Sequence, residues 1–148
     1  MSDVVHQMKP ARSAPLAAAR PRLRIGFGAS LRLGPGKIDL IEAIAETGSI
    51  TAAARSMGMS YRRAWVLVDE TNRIFETPLV VASAGGQHGG GARVTEFGLD
   101  VVAAWRRIEA KTRAAIDAEF SPFADRLVDF TRDGGTPAPA EDAVDRSA

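Results

Sequence analysis

The chain has 148 residues, of which 45% are hydrophobic and 25% are charged, and this composition fits one globular domain with tails. It has no cysteine, which excludes a disulfide scaffold, a thiol nucleophile and a cysteine-ligated zinc site, and is consistent with a reducing, cytoplasmic location. Residues 1–75 contain eleven Lys and Arg against six Asp and Glu, while residues 76–148 contain eight against twelve, so the first half favours a polyanionic partner as much as an unevenly charged, solvated surface.

Both ends of the sequence are expected to be disordered. Residues 1–22 form a basic arm with three prolines, and residues 133–148 are rich in Pro, Gly, Ala and acidic residues, so neither buries enough apolar surface to offset its ordering entropy. We therefore expect a domain over residues 23–120, followed over residues 121–148 by a short helical segment and an acidic tail. No apolar run reaches the roughly 20 residues of a membrane span, and the N-terminus lacks the apolar segment of a signal peptide.

Within the expected domain, the chain begins with a strand and a helix. Alternation of apolar residues over Leu23–Phe27 predicts a short strand. Pro35 marks the start of a helix, because a residue without an N–H is tolerated in the first turn. Ile38 and Ile41 then lie on one apolar helix face. Gly48 is expected to end this helix in a left-handed conformation.

Two short helices follow in the sequence GSITAAARSMGMSYRRAW. Ser49 or Thr51 is expected to cap the first of them. Gly58 interrupts the chain, and Ser60 caps a second helix that runs from Tyr61 to about Phe75. A short helix, a tight glycine turn and another helix form the helix-turn-helix pattern. On this pattern alone, an ordinary helix pair in an all-α domain is an equally good explanation.

The second helix of this pair carries large side chains at its N-terminal end. Its inward face is expected to consist of Ala64, Val68, Thr71 and Phe75. The opposite face and its flank then present aromatic, basic and apolar groups at the helix end that reaches base edges in a DNA major groove. We predict DNA contacts from this face and from the capping residues, which together are Ser49, Thr51, Ser60, Tyr61, Arg62, Arg63, Trp65 and Val66.

A β-hairpin is predicted in the next segment, PLVVASAGGQHGGGARVTEFG. Its strands are Leu79–Ala82 and Ala92–Thr95, around a glycine-rich tip at Gly85–Gly91. A helix-turn-helix followed by such a hairpin is the winged-helix arrangement, whose wing meets phosphates or the minor groove. Arg93 and His88 are the candidates for this contact, although a solvated loop position is the simpler interpretation of His88.

The two segments together resemble the N-terminal DNA-binding domain of ModE-type molybdate-responsive regulators, which are winged-helix relatives of the LysR group. The resemblance extends from about Leu23 to Phe120 and rests on GSI, GMSYRRAW, Asn72 and the wing sequence GG…GGGA with the Thr and Gly after it. It implies a mostly α fold with a small β-hairpin, namely a winged helix-turn-helix followed by a long dimerisation helix. It also implies a bacterial or archaeal regulator that binds double-stranded DNA as a homodimer.

These regulators continue into small β-barrel modules that bind molybdate. Only 28 residues follow Phe120 in this sequence, and they form an acidic tail rich in Pro and Ala. We therefore expect no C-terminal molybdate-binding domain and do not carry molybdate binding over to this chain.

A helix of more than twenty residues is predicted after the wing, with Thr95 as its N-cap. Its distal half, from Ile108 to Phe120, is longer than a three-helix core can cover. Symmetric antiparallel pairing with a second copy would bury its apolar stripe. The predicted dimer interface consists of Val101, Trp105, Ile108, Thr112, Ala115 and Ile116.

Other chemistry lacks the residues that it needs. The segment GFGASLRLGPGK fails as a phosphate loop, since Leu31 stands where the dinucleotide motif needs Gly and Ile38 stands where a P-loop needs Ser or Thr. The two histidines, His6 and His88, are far apart in the sequence, so we expect no metal site, no catalytic triad and no cofactor.

The sequence thus predicts a sequence-specific transcriptional regulator that acts as a homodimer on an inverted-repeat site, with neither enzymatic activity nor membrane association. The alternative is a winged-helix interaction module that pairs with a full-length regulator and has little affinity for DNA. Bulky basic groups at the start of the recognition helix favour the first interpretation over the second.

Overall fold

The structure, a computed structural model, describes residues 14–83 and 91–129. The chain divides into two compact units, Pro21–Thr112 and the two chain ends, Met1–Arg20 with Arg113–Ala148. Among the described helices, none combines the length and the apolar character that crossing a membrane requires. Residues 85–90 of the predicted wing tip, including His88, lie outside the described residues, and Gly91, the last residue of that prediction, begins a strand.

The order of the elements is that of a winged helix-turn-helix with a long helix after the wing. The elements are α1 (Ala14–Ala18), β1 (Ile25–Phe27), β2 (Leu31–Leu33), α2 (Pro35–Thr47), α3 (Ile50–Ser56), α4 (Tyr61–Ile74), β3 (Val80–Ser83), β4 (Gly91–Val94), α5 (Glu96–Phe120) and a 3₁₀ helix (Ser121–Arg126). The predicted fold class is confirmed.

The first predicted strand is one half of a hairpin. β1 pairs with β2 in antiparallel register, so that Ile25 lies opposite Leu33 and Phe27 opposite Leu31. The turn between them contains Gly28 with a φ of 67°, a left-handed conformation that glycine adopts without strain. The sequence pattern located β1 but missed its partner.

The predicted boundaries of α2 are confirmed. Pro35 occupies the first turn, and Gly48 ends the helix with a φ of 68° while its N–H donates to the Ile44 carbonyl at 2.8 Å. This left-handed cap satisfies one of the terminal carbonyls of the helix and turns the chain directly into α3.

The core of the Pro21–Thr112 unit lies among α2, α3, α4, the β3–β4 hairpin and the first half of α5. α3 contributes small alanines, and α2 contributes large aliphatic side chains. Each large aliphatic side chain contributes about 1.5–3 kcal/mol by its burial. The most deeply buried core residues are Leu33, Ile38, Leu40, Ile41, Ile44, Ala53, Ala54, Ala64, Leu79 and Trp105.

Trp105 corrects one of the predicted dimer contacts. Gly98, Val102 and Trp105 are the buried residues of α5, and Trp105 is only 1% exposed within its own chain. Its side chain belongs to the intramolecular core and has no surface left for a second copy, so its assignment to a dimer interface is wrong. The three- and four-residue spacing of apolar residues on a helix is the same for a face that packs on its own core and for a face that packs on a second copy, so the spacing alone could not distinguish them.

The unit formed by the chain ends contains α1, the distal part of α5 and the 3₁₀ helix. Leu16 is 2% exposed. The Arg113 guanidinium donates to the carbonyls of Leu16 at 2.8 Å, Ala17 at 3.2 Å and Ala19, and pairs with Asp117 at 3.2 Å. The guanidinium thereby satisfies terminal carbonyls of α1. The expectation of disorder over residues 1–22 is therefore wrong for residues 14–18.

Candidate nucleic-acid interface

Two serine caps begin the helices of the helix-turn-helix. The Ala52 N–H donates to Ser49 Oγ at 3.1 Å, which settles the cap of α3 in favour of Ser49 over Thr51. The Arg63 N–H donates to Ser60 Oγ at 3.1 Å and caps α4 as predicted. These two caps use the hydroxyls as acceptors, so each O–H can still donate to a phosphate oxygen.

The N-terminal face of α4 is exposed, as its sequence pattern predicts. Tyr61 is 54% exposed, Trp65 is 51% exposed and Val66 is 41% exposed, and Arg62 is exposed beside them. The opposite face is buried at Ala64, Val68 and Thr71, with Phe75 half-buried at the end of the helix. This orientation presents two aromatic rings and a guanidinium at the helix end that has the positive dipole.

The β3–β4 hairpin, the wing, is joined to α4 through Asn72. The Asn72 side chain donates from Nδ2 to the Val80 carbonyl at 2.9 Å and accepts at Oδ1 from the N–H groups of Leu79 at 2.9 Å and Val80 at 3.2 Å. Asn72 belongs to the sequence motif that resembles the ModE-type regulators, but the sequence alone assigns it no role. A side-chain bond to the backbone eight residues further along the chain leaves no periodic signal.

Two further contacts join the wing to its neighbours. The Ala92 N–H donates to the Gly48 carbonyl at 3.0 Å, at the turn between α2 and α3. The Thr95 hydroxyl lies 2.8 Å from the Pro78 carbonyl and accepts from the Gly98 N–H at 3.0 Å, which confirms Thr95 as the cap of α5. The position of the wing is therefore fixed from three sides.

A groove of about 490 Å³ lies between α4, the start of α3 and the wing. Its walls combine exposed aromatic side chains with hydroxyl, carboxylate and amide groups. The lining residues are Ser49, Ile50, Thr51, Tyr61, Trp65, Val68, Asp69, Asn72, Val80, Val81, Ala82, Gly91 and Ala92. The structure thus brings together Ser49, Thr51, Tyr61 and Trp65, which are four of the predicted DNA-binding residues.

The elements around the groove match a known family of DNA-binding domains. The profile described as bacterial regulatory helix-turn-helix protein, lysR family, matches residues 36–99. Residues 36–99 form a LysR-family helix-turn-helix domain. The match covers α2, α3, α4, the wing and the beginning of α5, which are the elements that build the exposed face and the groove.

Three curated relatives are similar to the region that contains the LysR-family domain. The molybdenum-pterin-binding protein MopA of Rhodobacter capsulatus is 44% identical over 69% of this chain and 37% of its own length. The molybdenum transport protein ModE of Azotobacter vinelandii is 38% identical over 65% of this chain and 36% of its own length. The DNA-binding transcriptional dual regulator ModE of Escherichia coli is 42% identical over 43% of this chain and 24% of its own length. The chain thus spans between about a quarter and somewhat over a third of the length of these relatives.

Arg93 lies on the outward side of the wing in the LysR-family domain. It is exposed between buried Ala92 and buried Val94, and its register partner is Val81. Alternation along β4 directs the Arg93 side chain away from the core. His88, the other predicted wing contact, lies outside the described residues.

Ion pairs reduce the negative charge that the domain presents near α4. Asp69 pairs with Arg73 at 3.1 Å. Glu70 pairs with Lys37 at 2.9 Å. In the described part of the chain no carboxylate pairs with Arg62, so its charge is available to a polyanion.

A second charged cluster joins α2 to α5. Arg106 contacts Asp39 at 2.8 Å, Glu42 at 2.6 Å and Glu109 at 2.7 Å. The hydrogen bond from Arg106 is the main cause that lowers the pKa of Glu42, and the same bond is the main cause that raises the pKa of Arg106. Over residues 14–83 and 91–129, no group of three or more His, Asp and Glu side chains is placed to hold a metal ion.

Proposed function

We propose that this chain is a sequence-specific DNA-binding transcriptional regulator. The observation that carries the proposal is the exposed N-terminal end of α4, where Tyr61, Arg62 and Trp65 stand clear of the core beside the wing. The LysR-family match and the regulators named ModE among the relatives support it.

Each part of this surface has a distinct task in the proposed complex. The N-terminus of α4 enters the major groove, where Arg62 forms two hydrogen bonds with the O6 and N7 atoms of a guanine. Ser49 and Ser60 donate their hydroxyl protons to phosphates, and Arg93 on the wing meets the backbone of the adjacent groove. The base contact supplies specificity, and the phosphate contacts supply affinity and register.

A dimer on an inverted repeat is the second part of the proposal. A single module buries only about 600–1,000 Å² on DNA, whereas two modules double the site. Ile108, which is 38% exposed, and Ala115, which is exposed, lie seven residues apart and share one face of α5. With Trp105 removed from the predicted set, the proposed interface consists of Val101, Ile108, Thr112, Ala115 and Ile116.

One observation favours a different function, the interaction module. Tyr61, Trp65 and Val66 together form an exposed apolar patch of the kind that protein partners cover. A protein partner would bury the rings and would have no requirement for the positive charge of Arg62. The dependence of binding on Arg62 therefore separates the two functions.

The experiment is a selection from a randomised duplex pool, followed by affinity measurements on the enriched duplex and on a scrambled duplex. Arg62→Ala is expected to weaken binding to the enriched duplex by about 5- to 150-fold, equivalent to about 1–3 kcal/mol, with little change on the scrambled duplex. Arg73→Ala is the matched control, since Arg73 is the arginine in the last turn of the same helix. A pool that yields no enriched sequence would contradict the proposal and favour the interaction module.

The dimer is tested separately by sedimentation of Ile108→Glu and Leu99→Glu. Leu99 is 51% exposed and lies nine residues from Ile108, which places it on the opposite side of α5. Ile108→Glu is expected to give a folded monomer and Leu99→Glu a dimer. A monomeric unmodified chain at tens of micromolar would contradict this part of the proposal.

A further inference from the structure

The outer edge of β3 is paired by a side chain. The Thr95 N–H donates to the Leu79 carbonyl at 2.8 Å on one side of Val80, and Val80 lies opposite Val94 in the register. In an antiparallel ladder, hydrogen-bonded pairs alternate with pairs that are not hydrogen-bonded. Since Leu79 and Thr95 form a hydrogen-bonded pair, Val80 and Val94 do not, and the N–H and C=O groups of Val80 point away from β4. Both of these groups are bound by the side chain of Asn72.

An amide is the side-chain group that fits this edge. The Val80 N–H needs an acceptor and its C=O needs a donor, and the carboxamide of Asn72 supplies both from one end. A carboxylate of the same size has no donor and would face the Val80 carbonyl with an oxygen. Alanine would leave the three backbone groups of Leu79 and Val80 without their partner.

Because the wing is short, its position depends on contacts with neighbouring elements such as the one from Asn72. β3 and β4 have four residues each, and a two-stranded hairpin of that size is marginally stable in isolation. Asn72 lies on α4, about three turns after Tyr61 and about two turns after Trp65. The same helix that presents Arg62 therefore also holds β3. The bond from Ala92 to Gly48 and the bonds from Thr95 to Pro78 and Leu79 also hold the wing, but none of these contacts involves α4.

We infer that Asn72 is a positioning residue for DNA recognition: it fixes the wing to the recognition helix, so that Arg62 and Arg93 engage one duplex in a single register. This inference rests on the proposed function and adds to it the residue that couples its two contact sites. Without Asn72 the wing would lose its hydrogen bonds to α4 and keep those to other elements, so the contribution of Arg93 to binding would fall before that of Arg62.

The test is a pair of double-mutant cycles on the full chain, with the duplex enriched from the randomised pool as probe. In the Asn72→Ala background, the factor by which Arg93→Ala weakens binding is expected to shrink at least about twofold. The factor for Arg62→Ala is expected to stay unchanged. The slope of log affinity against log salt should fall by about 0.9 for each phosphate contact that the wing gives up.

Two further variants keep the test decisive. Thr71→Val is the control. Thr71 is a buried neighbour of Asn72 on α4, and its hydroxyl donates to the Leu67 carbonyl of the same helix at 2.7 Å and not to the wing. Thr71→Val should leave both cycles unchanged. Asn72→Asp preserves the shape if Asn72→Ala fails to fold. It keeps the acceptor for the Leu79 and Val80 N–H groups but loses the donor to the Val80 carbonyl, so it should decouple Arg93 in the same direction and to a smaller extent.

Amide hydrogen exchange supplies a readout that does not depend on DNA. Asn72→Ala should accelerate exchange at the N–H groups of Leu79 and Val80 and leave the amides of α2 protected.

The outcomes separate this inference from the proposed function. If the unmodified chain enriches no duplex, the proposed function fails and the inference fails with it. If the unmodified chain binds but Arg93→Ala has the same effect in both backgrounds, the inference alone is overturned. An equal loss of the Arg62 and Arg93 contributions also overturns it, because Asn72 would then support the fold without coupling the wing to the helix.

Discussion

Gly98 is the position where a single added methyl group should have the largest local effect. In an open helix, replacing glycine by alanine stabilises by about 1 kcal/mol, because alanine restricts the unfolded chain and favours the helix. At Gly98, however, a Cβ atom would lie 2.5 Å from the Leu79 carbonyl oxygen and 2.8 Å from Val94 Cγ1. The first of these neighbours is backbone and cannot rotate away.

The structure decides which effect wins. The Leu79 carbonyl already accepts from the Thr95 N–H at 2.8 Å, and Leu79 is fully buried, so relieving the clash displaces both the wing and the cap of α5. Overpacking of this kind costs about 1–3 kcal/mol, and stretching a hydrogen bond adds about 1 kcal/mol. After the helix gain is subtracted, Gly98→Ala should destabilise the domain by about 1–3 kcal/mol.

Thermal and urea unfolding, followed by circular dichroism, measure this change. The expected loss corresponds to a decrease in Tm of about 3–10 °C for a chain of this size. Gly36→Ala is the matched control, because a Cβ atom on Gly36 in α2 would meet no atom within 4 Å. It should leave stability unchanged or raise it by up to about 1 kcal/mol. If Gly98→Ala proves as stable as the unmodified chain, the close approach of α5 to the wing is refuted.

Two other predictions concern a cap and a charge pair. Ser60→Ala should destabilise the domain by about 1 kcal/mol in urea unfolding, because the Arg63 N–H loses its acceptor. Ser60→Asp should retain the cap and the stability. Equal losses of stability in both variants would contradict a capping role for Ser60. Because Arg106 lowers the pKa of Glu42 in the fold, the stability from this pair is present above the unfolded pKa of glutamate and is lost as pH falls through the folded pKa. Glu42→Gln should therefore reduce the loss of stability between about pH 5 and pH 3, and Glu46→Gln, an exposed change in the same helix, should not.

The helix caps and the tight turns of this fold could be predicted from the sequence. Gly48 and Gly58 both have left-handed φ values of 68° and 67°, and Ser60 accepts the expected cap bond. These features depend on one or two residues and on backbone sterics, so residue type alone identifies them. The orientation of α4 followed from apolar spacing for the same reason.

Long-range relations could not be predicted. The periodicity of α5 gives one apolar stripe but does not tell whether Trp105 faces its own core or a second copy. Asn72 binds the edge of β3 through a geometry that depends on the tertiary arrangement of helix and wing. Leu16 and Arg113 lie almost a hundred residues apart in the chain, so nothing local in the N-terminal arm indicates that α1 forms.

The most direct test of the central claim is to map the backbone amides whose NMR resonances shift when the enriched duplex is added to the full chain. We predict that the largest changes fall at Ser60 and residues 61–66, which are the cap and the N-terminal end of α4, and at Arg93 on the wing, while the amide of Leu99 on α5 stays unperturbed. Changes concentrated along α5, with residues 60–66 unaffected, would contradict recognition of DNA by this face.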